Sequence, residues 1–180
     1  MKKLIKILLF TASVAICTAV VSMFDDRTTV AAGCRQLTVA QDRTPRVTGI
    51  GGIFFRSKDP KTLKKWYGEN LGLALDEYGS VFEFRNANRP EQINYLRWSL
   101  FDEKTTYFNP SKKDFVINYR VQNIVGLVKN LKMNGVTVVD NIQEYGYGKF
   151  VSIMDPEGNK IELWEPVDSY FTKIGGKTTK

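Results

Sequence analysis

The chain has 180 residues, carries 26 Lys and Arg against 19 Asp and Glu for a formal charge of +7, and contains no histidine. That composition removes the commonest transition-metal ligand and the usual neutral-pH general base. Its two cysteines, Cys17 and Cys34, lie so early that the sequence beyond them can form no intradomain disulfide, and stability there rests on packing.

The N-terminus reads as an export segment over residues 1–32. Met1-Lys2-Lys3-Leu4-Ile5-Lys6 is basic, and Ile7 to Phe24 is free of charge until Asp25-Asp26-Arg27. As a helix that run spans about 27 Å, which suits either a cleaved signal or an uncleaved membrane tether through residues 4–24. Cleavage after Ser22 or Ala32 fits the small residues present, and Ala31-Ala32-Gly33-Cys34 resembles a lipobox that the charged triplet interrupts. The alternative at Cys17 has Ile16 where a small residue is needed. Residues 33–45 form a polar linker with Pro45. The first 32 residues hold four basic and two acidic side chains, so the exported part keeps +5 of the +7. Export argues for a periplasmic or other extracytoplasmic location and against nucleic acid as a partner. The later lysines, including Lys104, Lys112, Lys113, Lys173, Lys177 and Lys180, read as solvated charges.

From residue 46 to 167 the chain repeats itself at an offset of 64. Phe55-Arg56-Ser57-Lys58-Asp59 lies over Tyr119-Arg120-Val121-Gln122-Asn123, and Leu71-Gly72-Leu73 over Asn134-Gly135-Val136 after a one-residue deletion. The first copy predicts a strand from Val47 to Arg56, a helix from Asp59 to Leu71, then strands at Leu73–Tyr78, Val81–Arg85 and Ile93–Phe101. The second predicts a strand from Asp114 to Val121, a helix from Asn123 to Asn134, then strands at Val136–Asn141, Lys149–Met154 and Lys160–Glu165. Asp59 and Asn123 suit helix N-caps, and Gly72 and Gly135 suit the left-handed residue that ends a helix. By helical and strand parity, Trp66 and Trp98 belong to the core on the helix-covered side. Residues 168–180 read as a polar tail.

The last strand follows a turn built by Asp155-Pro156-Glu157-Gly158-Asn159. In Ile161-Glu162-Leu163-Trp164 the period of two sends Ile161 and Leu163 to one face and Glu162 and Trp164 to the other. On the first strand Gly52, Phe54 and Arg56 share a face, and on its repeat Val116, Asn118 and Arg120 do.

These features resemble the vicinal oxygen chelate superfamily, the glyoxalase, bleomycin-resistance and extradiol dioxygenase group. The resemblance covers Arg46 to Val167 and rests on Ile50-Gly51-Gly52-Ile53-Phe54-Phe55-Arg56-Ser57-Lys58-Asp59-Pro60, on Trp66-Tyr67 with Leu71-Gly72-Leu73, and on Asp155 to Pro166. It implies an α+β fold of paired βαβββ modules, in which a curved mixed sheet holds its ligand on the concave face and carries helices on the convex face. Metal-dependent relatives place one ligand on each of four strands. The matching positions here are Gly52, Arg97, Val116 and Glu162, of which only Glu162 is a donor, so the resemblance implies no metal and no cofactor.

Arg56, Arg120 and Arg97 are then candidate anchors for a small anionic molecule, or internal ion pairs with Glu162, Glu83 or Glu144; both readings are open. Phe54, Tyr95, Asn118, Tyr145, Tyr147 and Trp164 complete the candidate ligand-binding set as flat walls with polar tips. Two functions follow. One is an exported protein that binds a small anionic or aromatic molecule; the other is a lyase or isomerase in which Glu162 is the catalytic base and an arginine stabilises an oxyanion. A monomer and a strand-exchanged homodimer are both compatible with the pattern.

Overall fold

A computed structural model of the protein describes residues Asp42–Thr179. The export segment, both cysteines and Lys180 lie outside the described residues. Seven strands form one sheet: β1 Arg46–Ser57, β2 Ser80–Arg85, β3 Ile93–Asp102, β4 Phe115–Gln122, β5 Gln143–Tyr145, β6 Gly148–Met154 and β7 Lys160–Pro166, in the order β2-β3-β1-β4-β7-β6-β5. β1 and β4, the matching strands of the two repeats, lie antiparallel at the centre, with β3 parallel to β1 and β7 parallel to β4. The two modules therefore close one open, curved sheet within one chain, and the paired βαβββ architecture is present.

Helices α1 (Pro60–Leu71) and α2 (Ile124–Met133) pack on one face of that sheet. The Asp59 carboxylate accepts from the Thr62 amide, Pro60 sits in the first turn, and Gly72 ends α1 at φ 70°. Asn123 caps α2 through the Gly126 amide. The Glu165 carboxylate, reaching from β7, takes the Asn123 and Ile124 amides at 2.9 and 3.0 Å, so a negative charge faces the positive end of the helix. Under α2, Val121, Ile124, Val128, Val151, Ile153 and Leu163 form one core. Leu96, Trp98 and Leu100 form a second under α1, with Leu63 and Tyr67 against it. Each such fully buried apolar side chain contributes about 1.5–3 kcal/mol.

Several expectations need correction. Two predicted strands, Leu73–Tyr78 and Val136–Asn141, shrink to single bridges, Leu75 to Ser80 and Val138 to Ile153. In the first, Asp76 turns the chain by accepting from the Tyr78 and Gly79 amides at 2.8 Å each; in the second, the Asp140 carboxylate takes the Ser152 amide that a ladder carbonyl would use. β5 has no counterpart among the predicted strands. Trp66 is 49% exposed, because the inward stripe of α1 runs through Leu63 and Tyr67 instead.

The largest departure concerns the face without α1 and α2. The connection between the modules folds onto it, bringing Tyr107 and Phe108 against Phe54, Phe101 and Val116, with Phe108 fully buried. The stretch read as a polar tail forms a third helix, α3 (Asp168–Ile174), whose Phe171 meets Tyr95 and Trp164 at 5.3 and 5.6 Å between ring centres. After Gly175 and Gly176, both at positive φ, the chain continues to β2, where the Thr179 amide donates to the Val81 carbonyl at 2.8 Å.

Candidate functional site

Glu162 is held from two sides. The Tyr107 hydroxyl donates to one carboxylate oxygen and the Asn118 amide to the other, each at 2.5 Å. β4 and β7 place Asn118 directly beside Glu162, and Tyr107 descends from the connection. Lys160, two residues earlier on the same strand face, donates to the Tyr107 carbonyl at 2.6 Å and lies 4.8 Å from the centre of the Tyr107 ring. Burial pushes the Glu162 carboxyl above its usual range, against the opposing pull of the Tyr107 and Asn118 hydrogen bonds and the Lys160 charge. Burial likewise raises the Tyr107 phenol, and the neighbouring Glu162 charge adds to it. The cluster thus holds a carboxyl that resists ionisation and a phenol that keeps its proton, touching through one short hydrogen bond.

Rings wall this carboxyl. Phe150 stacks on Trp164 at 5.8 Å and 9°, Tyr147 lies edge-on to Phe150 at 5.5 Å, and Tyr145 stacks on Tyr147 at 5.3 Å and 4°. Tyr145 and Tyr147 stay exposed, while Trp164 is buried. Gly148 permits that burial: a Cβ there would stand 2.4 Å from the Trp164 indole nitrogen, which instead donates to the Tyr147 carbonyl at 3.2 Å. Burial raises the Tyr147 phenol, with further contributions from Tyr145 and Glu162. A cleft of about 250 Å³ lies at the adjoining sheet edge, lined by Tyr145 and Gly148 and by the charged Glu144, Lys149 and Glu165; neither Glu162 nor Trp164 lines it.

Each of the three arginines has an internal partner, and none of them is Glu162. Arg97 stands apart at the β2 side, where it meets both Asp76 oxygens at 2.8 and 2.6 Å. Burial alone would raise the Asp76 carboxyl; the Arg97 bond and charge, with the Tyr78 and Gly79 amides, outweigh it and hold the group below its usual range. Arg56 lies over the Phe108 ring at 5.1 Å, donates weakly to the Thr105 carbonyl at 3.4 Å, and is 3.7 Å from Asp114. Arg120 is buried, bonded to Asp168 at 2.5 Å and to the Tyr95 carbonyl at 2.9 Å, with Trp164 5.1 Å from its guanidinium. Glu83 accepts from Thr178, and Glu144 pairs with Lys149.

The structure therefore divides the predicted residues among four places, with Arg97 alone beside Asp76. Asn118 and Glu162 form the acid cluster, beside Trp164, Tyr147 and Tyr145; Tyr95, Arg120 and Trp164 lie together under α3; Phe54 and Arg56 sit with Phe108. Sequence reasoning missed Tyr107, Lys160, Asp168 and Phe171. The spacing of Tyr170, Phe171 and Ile174, with Asp168 at the first turn and Lys173 at the last, was a legible helix signal. Nothing local marks Tyr107.

The four positions aligned with metal ligands do not form a donor set. Sheet register puts Arg97, Gly52, Asn118 and Glu162 in one row, so Asn118 rather than Val116 stands opposite Gly52. Register shifts along β1 at Val47/Gly49 and Ile50/Gly52 produce this offset, which sliding the sequence on itself cannot see. The Phe54 ring covers Gly52, lying 2.6 Å from where a Cβ would be. Arg97 is committed to Asp76, and both Glu162 oxygens already accept hydrogen bonds. Among the described residues, no three His, Cys, Asp or Glu side chains converge in a way that could hold an ion.

A family model described as Glyoxalase/Bleomycin resistance protein/Dioxygenase superfamily matches residues 49–163. Among solved structures, methylmalonyl-CoA epimerase from Streptomyces coelicolor in complex with 2-nitronate-propionyl-CoA is similar at 12% identity and a TM-score of 0.51, over 68% of this chain and 99% of that one. Methylmalonyl-CoA epimerase from Mycobacterium tuberculosis matches at 19% identity and a TM-score of 0.44, over 67% and 89% of the two chains. A glyoxalase/bleomycin resistance protein/dioxygenase superfamily member from Vibrio splendidus 12B01 matches at 13% identity and a TM-score of 0.40, over 68% and 99%. No curated protein matches the chain.

Proposed function

Since the chain belongs to the glyoxalase/bleomycin resistance protein/dioxygenase superfamily, we propose that it is an exported, metal-free member that binds a small anionic or aromatic molecule on the concave face of its sheet. The observation that carries this reading is the wall of rings from Tyr147, Phe150 and Trp164 beside one hydrogen-bonded carboxyl, Glu162. Flat apolar surface with a few fixed polar groups is the usual lining of a small-ligand site. The aromatic half of the ligand description has the stronger support, because every candidate arginine already has an internal acceptor. The metal-free part rests on the donor set: in the row where a divalent ion would need several oxygen or nitrogen donors, glycine and an Asp76-bound arginine leave only the Glu162 carboxylate and the Asn118 amide oxygen. Export rests on the basic start and the uncharged run Ile7 to Phe24.

Isothermal titration with an aromatic panel, paired with elemental analysis of the purified chain, tests the reading. Saturable binding that weakens in Phe150→Ala, with less than a tenth of an equivalent of Zn, Ni, Mn or Fe, is the expected result. One equivalent of tightly held metal that disappears in Glu162→Gln overturns the metal-free part. A reporter joined after residue 180 and active only in the cytoplasm should be silent; strong activity overturns export.

A second reading, a lyase or isomerase, is favoured by one observation. Glu162 is a carboxyl whose pKa is raised by burial and which is in hydrogen-bond contact with a phenol, an arrangement suited to taking and returning a proton. Exchange of an acidic C–H for deuterium in a bound oxo-acid, lost in Glu162→Gln, would place the protein in that class.

A further inference from the structure

We infer that residues 168–179 are an intramolecular occupant of the ligand site, a strap whose Asp168 carboxylate and Phe171 ring stand where an aromatic carboxylate binds when the strap lifts. The inference rests on the proposed concave-face binding function and names the ligand class and the gate for that face.

The chemistry under the strap is that of an aryl carboxylate site. Arg120 is buried and offers one nitrogen to Asp168 at 2.5 Å. Gln92 adds its amide to the same Asp168 oxygen at 3.0 Å. Three residues further along the strap, about one helical turn from Asp168, the Phe171 ring meets Tyr95 and Trp164 at 5.3 and 5.6 Å. A guanidinium with a helping amide beside two aromatic faces is a receptor for a carboxylate joined to a ring, and the strap supplies both parts of its own ligand.

The strap is held by discrete side-chain bonds more than by packing: besides Arg120 and Gln92 on Asp168, the Tyr95 and Thr172 hydroxyls bond at 3.0 Å, and the Thr179 hydroxyl meets the Ala74 amide and the Ser80 hydroxyl at 2.8 Å each. The second Asp168 oxygen is buried without a partner, so the carboxylate is only half used. Asp168 is its one buried residue; Phe171, Thr178 and Thr179 are half-buried and the others between Ser169 and Lys177 are exposed. Gly175 and Gly176, at φ 63° and 128°, give a joint between α3 and the Thr179 contact with β2. A mostly exposed helix and a glycine joint let the segment open as a unit without unfolding the sheet, once the Asp168 and Thr179 bonds are given up to a competing ligand. A ligand that needs the open form binds with an affinity reduced by the fraction of time the strap is lifted.

Benzoate is the probe, with benzamide as its uncharged counterpart, titrated calorimetrically into the full chain. The variant Asp168→Asn/Phe171→Ala should bind benzoate at least tenfold tighter than the parent and prefer it to benzamide. In the parent, saturating benzoate should speed amide exchange across 168–179 and leave β4 and β7 protected. A second chain, Ser80→Cys/Thr179→Cys with Cys17 and Cys34 replaced by Ser, joins groups whose hydroxyls are 2.8 Å apart. Oxidised, it should lose benzoate binding, and reductant should restore it. Equal benzoate affinity in parent, variant and oxidised lock overturns the strap alone. No benzoate binding by the variant or the reduced lock overturns the carboxylate assignment, and with no aromatic binding by any chain the underlying function falls too.

Discussion

Replacing Arg120 by Met tests how the interior beneath α3 is held. The Arg120 and Asp168 side chains keep only 6% and 8% of their exposure, so solvent screens their attraction little. Met preserves much of the stem packing but removes the bonds to Asp168 and to the Tyr95 carbonyl, along with the contact on Trp164. Asp168 is then left with the Gln92 amide alone. Breaking a buried pair by removing one partner costs about 3–5 kcal/mol, because the remaining charge is stranded. The lower end, about 3 kcal/mol, applies here, since α3 is mostly exposed and can carry the carboxylate back to water by undocking. In urea, with a slope of roughly 1–3 kcal/mol/M, the midpoint should fall by at least about 1 M. Arg120→Met/Asp168→Leu removes both charges and should recover to within about 1 kcal/mol of the parent. A single-variant loss below about 1 kcal/mol, or a double variant no better than the single one, refutes this account of the pair.

Three other outcomes follow from the same geometry. Because the folded pKa of Glu162 is raised, its ionisation lowers stability as pH climbs from its ordinary value of 4.5 towards the raised one. Glu162→Gln should therefore match the parent near pH 4 and lose less stability between pH 5 and 8, as read by denaturation at each pH; a parent that gains on the variant over that range contradicts the assignment. Asp76 has the opposite sign: its lowered pKa contributes stability above the ordinary 3.8 that is lost as pH falls through the lowered value. Asp76→Ala should cost about 1–2 kcal/mol at pH 7 through lost amide contacts and the half-exposed ion pair, a gap that narrows in acid. At Gly51 a Cβ would stand 2.2 Å from the Asn118 side-chain oxygen and 2.8 Å from the Trp164 ring. Gly51→Ala should destabilise by about 1–3 kcal/mol and disturb near-ultraviolet circular dichroism from Trp164; an unchanged spectrum and midpoint would show that the strand shifts freely.

The repeat carried most of the fold, because two strand–helix units with matched caps leave few arrangements of a sheet. Asp59, Gly72 and Asn123 were readable since each acts on its own neighbours within a few residues. The residues that fill the concave face were not, since their partners are far away in sequence. Tyr107 reaches Glu162 across 55 positions and Arg120 reaches Asp168 across 48, and no local pattern records such pairings. The arginines were correctly placed on the sheet by parity, yet their partners came from a turn, a loop and a helix that parity does not describe. The bulged start of β1 moved the row opposite Gly52 from Val116 to Asn118 for a similar reason: an irregular backbone step leaves no mark on residue spacing.

The bond between Thr179 and Val81 joins residues almost a hundred positions apart, and this has a consequence for biogenesis. Every strand of the sheet leaves the ribosome before the strap does. At ordinary elongation rates the interval between completing β3 and releasing residue 179 is on the order of ten seconds. During that time Tyr95 has no α3 to cover it and Arg120 has no Asp168. A nascent chain stalled just after β7 should therefore display an aromatic, cationic surface to chaperones that the finished protein conceals.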